Sequence, residues 1–127
     1  MERVARGWAM LDLAVTSSMA LPPSAAFLAD LILALSGEPA RELDGLTHFF
    51  LCLAGVLGVL WALARILEPT RCLVTAVAVG RLVVSALIAG FVAVGGAPIA
   101  LLAFVVTEVA GSLHQFVALR RSANAFA

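Results

Sequence analysis

The sequence predicts an all-α integral membrane protein, a four-helix bundle with an extra short helix after the first transmembrane helix. Three observations predict it. Of 127 residues, 63% are hydrophobic and only 13% charged, where a soluble domain carries about a quarter charged. Three apolar blocks, 46–67, 72–94 and 99–119, each hold about 20 residues, enough to cross a ~30 Å hydrocarbon core. A chain this short has no soluble interior large enough to hide that surface, so lipid is its natural solvent. The length allows one domain, 1–127.

The first transmembrane helix is expected over 4–21. Arg3 and Arg6 followed by an apolar run resemble a signal peptide. However, Asp12 interrupts the run and Pro22-Pro23 sits near any cleavage point, so a retained helix is expected. The two prolines lack backbone donors and break or kink that helix. Ser24 is the expected cap of a new one, "SAAFLADLILALS", over 24–36. Such a segment reaches only ~20 Å, too short to cross alone. It lies on the outer side as a separate helix, re-enters the membrane, or continues the first helix with a kink; the first of these is preferred. "GEPARELD", 37–44, reads as a polar outer loop. The second helix ends at Glu68-Pro69, the third at Gly95-Gly96-Ala97-Pro98, and the fourth at Arg120-Arg121.

Arginine placement sets the orientation. With the N-terminus inside, Arg3, Arg6, Arg65, Arg71, Arg120 and Arg121 are cytoplasmic and Arg41 lies outside. This is the positive-inside pattern, and it puts both termini in the cytoplasm. Trp8 and Trp61 fall near the same boundary. The basic residues are all Arg, Tyr is absent and Ala abundant, which suits a GC-rich bacterial genome and so a multi-pass protein of the bacterial inner membrane. No basic tract points to nucleic acid. Cys52 and Cys72 sit at opposite ends of their helices, so no disulfide is expected, and they read as small buried hydrophobes.

Arg81 is the residue that most needs explaining, a lone guanidinium inside "GRLVVSALIAG". It lies ~15 Å from the cytoplasmic edge, counted from Arg71, and Glu108 lies ~18 Å from it, counted back from Arg120. A tight turn joins helices three and four, so an Arg81–Glu108 ion pair is expected. Each charge alone costs roughly 2.5–3.5 kcal/mol at a helix centre on insertion scales, and pairing offsets part of this. Asp12 and His114 both fall at ~9 Å depth and form a second expected contact. Glu108, Ser112 and Gln115 share one face of helix four. Thr16 and Ser85 follow Asp12 and Arg81 by four. The candidate ligand-binding set is therefore Arg81, Glu108, Asp12, His114, Ser112, Gln115 and Ser85. The competing reading is a polar lock holding the helices together, since such contacts average only about 0.6 kcal/mol. Gly55 and Gly58, and Ala86 with Gly90, read as close-packing positions.

Several chemistries lack their residues. His48 and His114 lie about half a membrane apart in depth and cannot share a haem. There is no metal-binding spacing, no phosphate loop, no G-x-S-x-G and no H-E-x-x-H. His48 reads as interfacial. A single-residue acid or base stays open, and with it whether the protein is an enzyme.

Residues from about 46 to 119 resemble the DoxX-like superfamily of small four-helix bacterial membrane proteins. The likeness rests on an apolar second helix, Gly80-Arg81 within the third, a Gly-Pro turn from Gly95 to Pro98, and one glutamate, Glu108, in the fourth. The Pro-interrupted segment from Leu21 to Ser24 fits as well. Named members of that family associate with quinone-linked oxidation of sulfur compounds. The resemblance implies a four-helix bundle and a lipophilic ligand inside it.

Three functions compete. The first is binding of a lipophilic ligand, a quinone or a lipid, as membrane subunit of a redox system. Quinone is its candidate cofactor, and its partners are the lipid bilayer with a redox protein or a second copy. The second is a structural or assembly protein without ligand. The third is a small proton-coupled exporter using Asp12, although no aromatic cage for a cation is visible.

Overall fold

The computed structural model describes residues 1–124; the last three residues of the expected domain lie outside the described residues. Five α-helices account for most of them, with no strand among the described residues: α1 Glu2–Ala20, α2 Pro22–Leu35, α3 Gly45–Leu67, α4 Arg71–Val94 and α5 Leu102–Asn124, the last preceded by a short 3-10 turn, Ile99–Leu101.

Three stretches are long and apolar enough to cross a membrane: Gly45–Leu67, Arg71–Val94 and Ile99–Ala123. The first helix does not meet that test alone. It does so only together with α2, from which it is bent by 105°. The bend has a local cause. Leu21 is extended, with φ −109° and ψ 134°, and Pro22 and Pro23 occupy the first turn of α2. There a missing backbone N–H costs nothing, because first-turn donors have no helical acceptor. The expected cap at Ser24 is corrected accordingly: Leu21 is the cap, and the Ser24 hydroxyl donates to the Leu21 carbonyl at 3.1 Å. The short helix spans Pro22–Leu35 rather than 24–36.

At its other end α2 turns off through Ser36 and Gly37, where φ is +72°. Glycine tolerates that left-handed conformation without a Cβ penalty. Ser36 ties this end down, since its hydroxyl donates to the Ile32 carbonyl and accepts the Ala100 N–H at 3.0 Å. His48 bonds the Pro22 carbonyl at 2.9 Å, fixing the start of α2 against α3.

Asp44 caps α3, accepting the N–H groups of Leu46 at 3.1 Å and Thr47 at 3.0 Å. The Thr47 hydroxyl, and then its N–H, hold the Asp44 carboxyl below its ordinary pKa. Its capping contribution is thus full above the unfolded value and is lost as pH falls through the depressed folded value. Asp44→Ala is expected to fray the first turn of α3, read as faster amide exchange at Leu46 and Thr47. Acidification of the unsubstituted protein should lower the protection of the same amides relative to their intrinsic exchange, and protection unmoved by either change would contradict the capping role. Thr70 caps α4 more weakly, accepting the Leu73 N–H at 3.3 Å.

The packing is pairwise. α1 lies along α3, and α4 along α5, with α1 also touching α5. α3 and α4 are consecutive, joined by Glu68, Pro69 and Thr70, yet do not pack along their lengths. The α4–α5 pairing is the one the Gly-Gly-Ala-Pro turn predicts. Close approach of α1 and α3 depends on Gly55 and Gly58. A Cβ at Gly55 would sit 2.4 Å from the Ala20 nitrogen, and one at Gly58 2.4 Å from the Thr16 methyl. The same expectation fails at Gly90, where a Cβ would meet nothing within 4 Å. The cysteines are free as expected, but Cys72 is exposed and Cys52 only partly covered, so neither is a buried core residue.

Candidate functional site

Arg81 and Asp12 are the two inner members of a four-charge network. Arg81 projects from α4 and is 5% exposed. Its Nη1 donates to Glu108 Oε2 at 3.1 Å, the expected pair between α4 and α5. Its Nη2 also donates to Asp12 on α1, at 2.6 Å to Oδ1. Asp12 takes a further bond from Arg65 Nη2 of α3. One residue from each of four helices therefore meets in a single cluster, two guanidiniums with two carboxylates, with formal charges that sum to zero.

Local sequence makes room for it. A Cβ at Gly111 would come within 2.8 Å of Arg81 Nη1 and 3.1 Å of the Trp8 ring. Any larger residue at 111 would displace the Arg81 guanidinium from where it now lies. Trp8 also covers the guanidinium, its ring centroid 5.2 Å from Arg81 Cζ, within cation–π range. The Thr16 hydroxyl donates to the Asp12 carbonyl at 2.7 Å, one turn along α1.

The cluster forms part of the wall of a cleft of about 500 Å³. Four helices line it: α1 with Leu11, Asp12, Val15 and Thr16; α3 with Gly58, Trp61 and Arg65; α4 from Ala76 to Val84; α5 from Ala103 to Glu108. An apolar cleft with a few convergent polar groups has the size and chemistry of a small-molecule site. The donors are not fully used. Arg65 Nε and Nη1 and Arg81 Nε are buried with no hydrogen-bond acceptor. A buried donor left unmatched costs about 1–3 kcal/mol, more when charged; these three nitrogens lie behind the cleft wall, where the partly exposed members of the network are Asp12 and Glu108.

Of the expected set, Arg81, Glu108 and Asp12 share the cleft. The other four do not line it. Ser85 donates to the Arg81 carbonyl at 2.8 Å within α4. Ser112 donates to the Ala78 carbonyl at 2.8 Å and fastens α5 to α4. Gln115 is fully buried, and neither of its amide atoms has a partner. His114 is exposed and accepts the Trp8 indole N–H at 3.2 Å. The expected Asp12–His114 contact is thus replaced: α1 and α5 do adjoin, but Trp8 meets His114 while Asp12 turns to the arginines.

Sequence reasoning missed Arg65. Its position four residues from Trp61, near the end of its helix, suggests a cytoplasmic flank. Instead it is 1% exposed. The available signal is spacing: Arg65 lies seven residues after Gly58, on the face α3 turns to α1, and its long stem can carry the charge inward. Trp8 likewise reads as a boundary residue in the sequence, whereas its ring lies over Arg81. No group of metal-ligating side chains occurs among the described residues. Compared with family models, curated proteins and solved structures, the chain matches none.

Proposed function

We propose that the protein is a multi-pass membrane protein that binds a lipophilic molecule, a quinone or a lipid, in the cleft between its helix pairs. The observation carrying this reading is the apolar cleft of about 500 Å³ that four helices line. Its polar patch is the charge network, in which Asp12 and Glu108 are partly exposed while Arg65 and Arg81 are buried behind them. A greasy molecule fits such a lining, with its polar head beside the network. The three long apolar helices support insertion in a bilayer, and the α1–α2 pair supplies a fourth, broken span. With the arginine asymmetry, both termini face the cytoplasm of a bacterial inner membrane. The resemblance to DoxX-like proteins belongs to the same proposal, as does service beside a redox partner.

The exporter reading has less support. A proton-coupled carboxylate must be released to bind cargo, whereas Asp12 is bonded to two guanidiniums. Native mass spectrometry of the protein extracted in mild detergent tests the proposal. The wild type is expected to carry a quinone or lipid adduct. In Val84→Trp, checked for helicity and monodispersity, occupancy is expected to fall about tenfold or more, because the added ring fills the cleft that Val84 lines. A clean apo mass in the wild type would overturn the proposal and leave the network as a structural lock.

A further inference from the structure

Two carboxylates reach the cleft, and they are not equivalent. Asp12 has both oxygens engaged, Oδ1 by Arg81 and Oδ2 by Arg65 and Arg81 together. Glu108 gives Arg81 only Oε2, at 3.1 Å. Its Oε1 has no partner among the described residues, and unlike the unmatched nitrogens of Arg65 and Arg81 it is not sealed from the surface. The Glu108 side chain is 22% exposed and lines the cleft.

The rest of the polar lining has the same character. The Thr16 hydroxyl gives its proton to the Asp12 carbonyl, and the Thr107 hydroxyl gives its own to the Phe104 carbonyl at 2.9 Å, so each oxygen is left as an acceptor. The Trp61 indole N–H is the one lining donor beyond these hydroxyls and the arginines, and a hydroxyl oxygen can accept from it. What the cleft chiefly offers a head group is therefore an ionised acceptor, which makes the stronger kind of hydrogen bond. A carbonyl head would set lone pair against lone pair at Glu108, with no proton between them. An ammonium head would donate, but it would add charge to a network in which two arginines already balance Asp12 and Glu108, and Arg81 holds the other oxygen of the same carboxylate. A neutral hydroxyl donates without that penalty.

We propose that the cleft selects an amphiphile whose head group is a neutral hydroxyl, and that Glu108 Oε1 is the acceptor that reads it. This rests on the ligand-binding reading above and narrows it to the reduced, quinol form of a quinone or to a hydroxyl-bearing lipid.

The test uses the full chain in micelles and three diazirine probes with the same decyl tail: a phenol, its methyl ether and an alkylamine. The phenol is expected to label residues 103–108 saturably and to exceed the ether and the amine by about tenfold or more, the worth of one charge-assisted hydrogen bond. In Glu108→Met, checked for helicity, phenol and ether should label within about twofold of each other, with the ether unchanged from wild type. Should that variant lose helicity, the wild-type ratios carry the test. Competition by a decyl hydroquinone assigns the hydroxyl to a quinol and competition by a diacylglycerol assigns it to a lipid, whereas competition by neither overturns the inference. Saturable labelling in which the ether matches the phenol, or the amine exceeds it, overturns the neutral donor while the ligand-binding reading stands. A phenol preference that persists in folded Glu108→Met overturns Glu108 as the acceptor. No saturable labelling of wild type by any probe overturns both readings.

Discussion

Asp12→Asn is expected to destabilise the protein by about 3–5 kcal/mol, the usual cost of removing one partner from a buried ion pair. The size follows from its position. Asp12 accepts from both Arg65 and Arg81, and both arginines are buried. Its loss leaves Arg65 with no carboxylate and Arg81 with Glu108 alone. Glu108→Gln removes less, since Arg81 keeps its two-oxygen grip on Asp12. The order of unfolding midpoints in a denaturing-detergent titration is therefore wild type, then Glu108→Gln, then Asp12→Asn. If the two variants unfold together, or Glu108→Gln unfolds first, Asp12 is not the hub of the network.

The second large effect belongs to Gly55. Its place against α1 leaves no room for even one methyl group, because a Cβ would lie 2.4 Å from the Ala20 nitrogen and 2.5 Å from the Met19 carbonyl carbon. Backbone cannot rotate aside as a side chain can. Gly55→Ala must push α1 from α3, at a cost of about 1–3 kcal/mol or more. Gly90→Ala is the matched control. It faces open space, and alanine favours the helix by about 1 kcal/mol over glycine, so its thermal midpoint should equal or exceed that of wild type. Equal midpoints for the two variants would mean that α1 and α3 do not meet at Gly55.

The sequence makes the helices legible because their signals are local. Apolar length gives α3 to α5, the double proline gives the break after α1, and the glycine-proline turn gives the α4–α5 pair. Depth counting then finds Arg81 and Glu108, since two charges at one level on neighbouring helices have few other partners. It fails where a side chain does not stay at the level of its own Cα. Arg65 and Trp8 both look like boundary residues when counted along their helices, yet each reaches inward to the network. It fails again with His114 and Asp12, because equal depth leaves open which way each helix is rotated. Gln115 remains without a physical account, a buried amide with neither atom bonded.

The linkage of the network across four helices also bears on biosynthesis. Asp12 and Arg65 both precede Arg81 in the chain, and Glu108 follows it by 27 residues. For a chain inserted in the order of its synthesis, the charge that is hardest to place in lipid arrives after one acceptor and before the other. Asp12, already held by α1 against α3, is the group that can receive Arg81 while α5 is still being made. The first three helices thus serve the nascent fourth as a built-in docking template, and Glu108 removes the one positive charge left over when Arg65 and Arg81 share Asp12.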